Sequence, residues 1–229
     1  MTQIEAAGAL VTAYLIGSVP FGLVIVRAVS GVDLRQVHSG RTGGSNAARA
    51  AGVLAGVATA LGDVLKSAAV VLLARAVSGA ESWLPAASGF LAVLGHNHSV
   101  FLLERVNGKL RLRGGAGGAP TVGAAIALWP PSALVLLPVG ILVLITSGFA
   151  SLATLSVGLS ATGVFLWRAS SGAGPWEHVL FAALTVGLLA WGLRPNLQRL
   201  REGTERRLSW GRRRSGAAKV AAGDEDPPS

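Results

Sequence analysis

The residues able to do chemistry fall in a few short segments of this 229-residue chain. The first, Gly31–Gly44, reads GVDLRQVHSGRTGG and runs directly into Ser45-Asn46-Ala47-Ala48-Arg49. A turn rich in glycine and hydroxyl groups that opens a helix presents backbone N–H groups and a positive helix end to an anion. Arg41 and Arg49 add charge to that turn. Read this way, Arg41, Arg49 and the loop's backbone N–H groups are the candidate phosphate binders; the competing reading is a solvated loop with Ser45 or Asn46 as a helix cap. A second cluster, Gly114-Gly115-Ala116-Gly117-Gly118, opens another helix behind Arg111 and Arg113. Alone, such glycines can serve only close packing. Two arginine-flanked loops on the same side of a membrane suggest one site for a phosphorylated substrate, with Arg113, Gly114, Gly115 and Gly117 in it.

Asp63 and Lys66 are three residues apart, on one face of an apolar helix. Ionisable groups at membrane depth are functional candidates, and the alternative is a pair that neutralises itself and orients its helix. His96 and His98 follow at the end of the next apolar run. Their i, i+2 spacing and the lack of a carboxylate cluster argue against metal, so no metal site is expected, and His96 reads as a hydrogen-bonding residue near the site. The last polar segment, Leu193–Arg207, reads as a basic amphipathic turn or short helix. Attraction to anionic lipid explains most of it, but does not require Asn196 or Glu205.

The elements that must hold these residues are apolar helices. Seven spans are predicted: Ala6–Val26, Ala47–Ala74, Trp83–Leu103, Gly117–Trp129, Ala133–Ile145, Ser151–Trp167 and His178–Leu193. The first run lacks the positive flank of a signal peptide and reads as a retained helix. Tryptophans 83, 129, 167, 176 and 191 fall near span ends, as an interfacial belt places them. Seven spans put seventeen of the twenty Lys and Arg residues on one side. The positive-inside rule makes that side cytoplasmic and the N-terminus external. The expected fold class is therefore all-α and polytopic, with residues 1–208 as the membrane domain. Residues 209–229 form a basic, then acidic, disordered cytoplasmic tail.

Composition excludes the common alternatives. Hydrophobic residues make up 51% and charged residues only 14%, where soluble domains carry about 25% charged. Mean hydropathy is +0.55, and the 54 residues Gly114–Trp167 contain no Asp, Glu, Lys, Arg or His. A soluble domain, a coiled coil and a disordered chain are ruled out. Cysteine is absent, which removes disulfides, thiolate metal sites and cysteine nucleophiles. The net charge of +9 reads as topology and phosphate binding, with no nucleic-acid partner.

In order along residues 8–208, the chain resembles the PlsY family, bacterial membrane acyl-phosphate:glycerol-3-phosphate acyltransferases. The resemblance rests on Tyr14–Gly22, Val32-Asp33-Leu34-Arg35, Ser39-Gly40, Gly43, Asn46, Arg49 and Gly52. It continues through Asp63-Val64-Leu65-Lys66, Leu94-Gly95-His96, Phe101, Gly114–Gly117, Ser151-Leu152-Ala153, Asn196–Leu200, Gly203 and Glu205. The chain departs from the family pattern at several positions. Ala116 stands where the family has the lysine of Gly-Gly-Lys-Gly, and Leu193 where it has a histidine. Arg41 replaces an asparagine, His38 a glycine and Ser99 a proline. About seven residues, near Glu104–Leu110, enlarge the third connection.

The resemblance implies acyl transfer from acyl phosphate to the 1-hydroxyl of glycerol 3-phosphate at the cytoplasmic face of a bacterial inner or plasma membrane, with the bilayer as the other partner and no cofactor. Phosphate is a good leaving group, so such a protein mainly positions reactants and screens charge. The resemblance implies catalytic roles for Ser39, Arg49 and Asn196. It implies substrate contacts at Gly40, Gly43, Asn46, His96, Gly114, Gly115, Gly117 and Glu205, with Asp63 and Lys66 in support, and the neighbouring cations Arg41 and Arg113 are candidate phosphate contacts beside them. Arg113 or Arg41 could replace the missing lysine in charge, though not in geometry. The rival readings are a relative with another substrate or no catalysis, suggested by Ala116 and Leu193, and a small transporter. Against a transporter, ionisable residues cluster at one face and do not line the midplane.

Overall fold

The computed structural model describes residues 2–79, 83–106 and 108–208. The predicted tail, residues 209–229, lies outside them. The described chain forms nine α-helices and one β-hairpin.

Helices α1 (Gln3–Ser18) and α2 (Phe21–Ser30) replace the predicted single helix Ala6–Val26. Pro20, between them, has no N–H to donate, so the rod breaks there. At the start of α1, Thr2 and Glu5 form a reciprocal capping box. The second predicted helix is also divided, into α3 (Gly44–Ala51) and α4 (Val53–Ser78). The divider is Gly52 at φ 90, a backbone conformation that side chains with a Cβ rarely adopt.

Helix α5 (Leu84–Asn97) ends six residues before the predicted Leu103. From Ser99 the chain is instead strand β1 (Ser99–Val106), paired antiparallel with β2 (Lys109–Arg113). Two hydrogen bonds to α1 set this boundary. Tyr14 Oη donates to the His98 carbonyl at 2.8 Å, and the Ser18 carbonyl accepts from Ser99 Oγ at 2.6 Å. The enlarged third connection is thus a hairpin rooted on α1.

Four further helices follow: α6 (Gly118–Leu128), α7 (Ala133–Ser147), α8 (Ala150–Ser170) and α9 (Trp176–Arg201). Helix α9 continues through Pro195, past its predicted end at Leu193. Beyond it the Arg199 carbonyl accepts from the N–H groups of both Thr204 and Glu205, turning the chain back.

The main core packs α4, α5, α6, α7, α8 and α9 around Val71, Val93, Ala124, Ala125, Leu136, Ala161, Phe165, Phe181 and Leu189. Buried alanines let these helices approach closely, the usual solution in lipid. Leu65, Leu72, Ile141, Leu142, Leu159 and Leu184 face outward. Among the described residues, five segments are long and apolar enough to cross a membrane: Gln3–Ser30, Val53–Ser78, Pro130–Ser147, Ala150–Ser170 and Trp176–Arg201. Helix α6 is apolar but has 11 residues, about 16 Å of rise.

Candidate active site

The loop after α2, the loop before α6, the start of α8 and the end of α9 converge at one end of the bundle. They enclose a cavity of about 280 Å³.

The first loop is shaped from inside by Asn46. Its Nδ2 donates to the carbonyls of Arg41 (2.8 Å), Val37 (3.2 Å) and Leu34 (3.3 Å). Its Oδ1 is buried with no partner among the described residues. Asp33 pairs with Arg35 at 2.6 Å; that side-chain hydrogen bond holds the Asp33 carboxyl down at about 2. The two glycine loops are tied together, Thr42 N–H donating to the Gly114 carbonyl at 3.2 Å. His38 sits at φ 51, in the left-handed region that favours glycine.

Beneath the second loop lies a buried charged cluster. Lys66 Nζ lies 2.8 Å from Asp63 Oδ1, and His96 Nδ1 lies 3.2 Å from the same oxygen. Lys66 Nζ is also 3.1 Å from His96 Nδ1 and donates to the Val19 carbonyl at 2.8 Å. It thereby closes the C-terminal end of α1. The Gly115 N–H donates to the His96 carbonyl at 2.9 Å. Gly115 lies so close above the imidazole that a Cβ there would fall 1.9 Å from Nε2. No larger residue fits without moving the loop.

The far wall comes from α9. Asn196 Nδ2 donates to Glu205 Oε1 at 2.7 Å, and Arg199 Nε donates to Glu205 Oε2 at 3.0 Å. Glu205 therefore holds Asn196, and the buried Asn196 Oδ1 is left without a partner among the described residues.

Ser39, Arg41, Gly43, Asn46, Arg49, Asp63, His96, Gly117, Asn196 and Glu205 line the cavity together. Gly40, Lys66, Gly114 and Gly115 stand behind the wall. Arg113 is not part of the wall either. Its Nε donates to Glu104 and its Nη1 to the Arg35 carbonyl at 3.1 Å, so it braces the hairpin against the first loop. Ala116 and Leu193 do line the cavity.

Arg41 and Arg49 differ from every other charged group at the site. Arg41 donates to the Gly192 carbonyl, and Arg49 to the Arg206 carbonyl at 3.1 Å. Among the described residues neither has a carboxylate at ion-pair distance. Burial lowers the pKa of Arg41, nearby Arg199 pushes the same way, and Glu205 opposes. For Arg49 the lowering again comes first from burial, with Glu205 opposing and Arg206 adding to it.

The sequence reading did not place Ser151, Thr154 or the apolar wall of Val53, Val57, Ala60, Leu144 and Leu208 in the site. Ser151 Oγ is buried without a partner among the described residues. Its signal in the sequence is its place in Ser151-Leu152-Ala153, one of the segments that carry the family resemblance. The apolar residues carry no chemical signature apart from the cavity they shape. No group of three or more potential metal ligands occurs among the described residues.

The fold and site define a helical membrane protein with a glycine-lined, cationic cavity at one end, apolar along one wall. The chain belongs to the glycerol-3-phosphate acyltransferase family, which it matches over residues 7–203. It is 41% identical to a glycerol-3-phosphate acyltransferase of Thermus thermophilus, over 89% of this chain and 95% of the relative. It is 40% identical to that of Rubrobacter xylanophilus, over 85% of this chain and 91% of the relative. Two crystal structures of PlsY, described as an integral membrane glycerol 3-phosphate acyltransferase, share its fold. The glycerol 3-phosphate form gives a TM-score of 0.77 at 33% identity, covering 90% of this chain and 96% of that one. The lysophosphatidic acid form gives 0.75 at 32%, with the same coverage.

Proposed function

We propose that this protein transfers an acyl group from acyl phosphate to the 1-hydroxyl of glycerol 3-phosphate, giving lysophosphatidate and inorganic phosphate. The observation that carries this reading is the pair Arg41 and Arg49, two guanidiniums with no acid partner among the described residues, sharing one cavity with an apolar wall. Phosphates match the guanidiniums, and an acyl chain matches Val53, Val57, Ala60, Leu144 and Leu208.

The hydroxyl oxygen of glycerol 3-phosphate attacks the acyl carbonyl carbon. The bond from that carbon to the bridging oxygen of the phosphate breaks. The hydroxyl proton leaves with the phosphate, whose own oxygens accept it. The residues bind, orient and screen charge. Arg49 clamps the glycerol phosphate. Arg41, Ser39 and the loop N–H groups hold the donor phosphate or carbonyl oxygen. Asn196 Oδ1, fixed by Glu205, accepts from the glycerol hydroxyl. Asp63, Lys66 and His96 support the second loop from below.

In this reading the helices make seven spans: the α1–α2 rod, then α4 to α9, with α5 and α6 short. The N-terminus is external and the cavity opens at the cytoplasmic face of a bacterial inner membrane. One-sided positive charge supports that orientation.

A second reading, an enzyme with an altered acceptor or donor, is favoured by Ala116 and Leu193, both in the cavity wall. Kinetics of Arg49→Ala, with Ala116→Lys alongside, test the proposal. Loss of a charged contact to the reacting groups lowers kcat/KM by about 10²–10³, and that is the result expected for Arg49→Ala. Unchanged kinetics in that variant remove the arginine role. A large gain in Ala116→Lys places the loop at the substrate phosphate; no change there favours the second reading.

A further inference from the structure

The β1–β2 hairpin has a face that neither the fold nor the proposed reaction uses. The pairing register sets Leu103 opposite Leu112 and Arg105 opposite Leu110. Directly opposed residues share a sheet face, so these four side chains stand together. The other face carries Glu104 opposite Arg111, with Lys109 beside them. Its root is turned to the protein: Leu102 is buried, and Arg113 reaches the Arg35 carbonyl. The leucine face therefore points outward. Leu110 is 68% exposed, Leu103 51% and Leu112 40%, with Phe101 at the root 57% exposed.

We infer that this face lies on the membrane, with Leu103, Leu110 and Leu112 at the acyl boundary and the hairpin's cations among anionic headgroups. Three observations carry it. First, α5 ends at Asn97 and β1 begins at Ser99, so the hairpin starts where the membrane helices end. Second, its root is fixed to α1 through the Tyr14–His98 and Ser18–Ser99 hydrogen bonds, which keeps it against the bundle. Third, Leu103, Leu110 and Leu112 share their face with Arg105, while Lys109 and Arg111 stand on the reverse face of the same hairpin, all exposed. An apolar face flanked by basic residues is what an interfacial element presents to anionic lipid. The hairpin also touches the site: Arg113 braces the first glycine loop, so a docked hairpin holds that loop at a set height above the bilayer.

Because the chain has no cysteine, single labels can be placed cleanly. Leu110→Cys and Arg111→Cys, on opposite faces, are labelled with a polarity-sensitive fluorophore and reconstituted in vesicles. One vesicle set is phosphatidylcholine; the other contains about 30% phosphatidylglycerol. The Leu110→Cys probe should be quenched by brominated lipid at least about twofold more than the Arg111→Cys probe. Iodide in the water should quench them in the reverse order. The contrast should grow with phosphatidylglycerol and shrink in Arg105→Gln. Equal iodide access at both positions in both vesicle sets overturns the inference, and would point to a soluble protein partner for the face. The readout does not depend on acyl transfer, so its failure leaves the proposed reaction standing, and the reverse.

Discussion

Replacing Asp63 by asparagine removes the carboxylate that joins Lys66 and His96 in the buried cluster under the second loop. Its Oδ1 is 2.8 Å from Lys66 Nζ, and both side chains are 2% exposed. Coulomb attraction at that distance is about 6 kcal/mol with an effective dielectric constant of about 20. Desolvation offsets much of this. Removal of one partner nevertheless strands the other, and breaking a buried pair costs about 3–5 kcal/mol. In Asp63→Asn the ammonium keeps the Val19 carbonyl and His96 Nδ1 as neighbours, neither of which carries negative charge. The expected result is a loss of about 3–5 kcal/mol in detergent unfolding, set against a typical total stability of about 5–15 kcal/mol. The double variant Asp63→Asn/Lys66→Met removes the stranded charge and should recover at least half of that loss. His96 keeps neither ionic neighbour in the double variant, so acyl transfer should stay low even where stability returns. An Asp63→Asn protein within about 1 kcal/mol of wild type would show that the pair does not hold the cluster together. A double variant no more stable than the single one would show that no charge is stranded.

Three further outcomes follow from the same geometry. Gly115→Ala sets a Cβ 1.9 Å from His96 Nε2, and Asp63 and Lys66 hold that ring in place. The loop must move, at about 1–3 kcal/mol and about 100-fold in kcat/KM; wild-type kinetics from the folded variant would contradict this. His38→Gly relieves the φ of 51 and should stabilise by about 1 kcal/mol or less, since left-handed backbone costs roughly 1–2 kcal/mol and the added chain entropy offsets part of it; a measured destabilisation would argue against strain there. For Asp33→Asn the sign follows from a folded pKa of about 2. The pair with Arg35 is partly exposed, and its contribution, about 1 kcal/mol or less, is fully present above about pH 5 and lost as pH falls toward 2. The stability gap between wild type and variant should close over that range, and a gap unchanged at about pH 2 would contradict the assignment.

Much of this arrangement could be read from residue types. Glycine and hydroxyl groups beside Arg41 and Arg49 marked an anion site, and those residues do meet at one cavity. The i, i+3 spacing of Asp63 and Lys66 put them on one face, and the structure adds His96 as their third member. What the sequence concealed was mainly breaks and partners. Gly52 and Pro20 each divide a helix inside an apolar run, where hydropathy alone sees continuity. Part of the hairpin resembles helix in the sequence because Val100–Leu103 prolong the apolar run of α5. Arg113 looked available for phosphate, since nothing local showed that Glu104 and the Arg35 carbonyl would take it. The apolar wall stayed hidden because Val57 or Leu144 differs from a lipid-facing residue only in which way it points.

The most direct test supplies purified protein with acyl phosphate and glycerol 3-phosphate and follows lysophosphatidate and inorganic phosphate together. The two products should appear in equal amounts, neither should form when glycerol 3-phosphate is omitted, and Arg49→Ala should suppress both. Phosphate release at the same rate without glycerol 3-phosphate, or no lysophosphatidate from folded protein, would rule out acyl transfer to that acceptor.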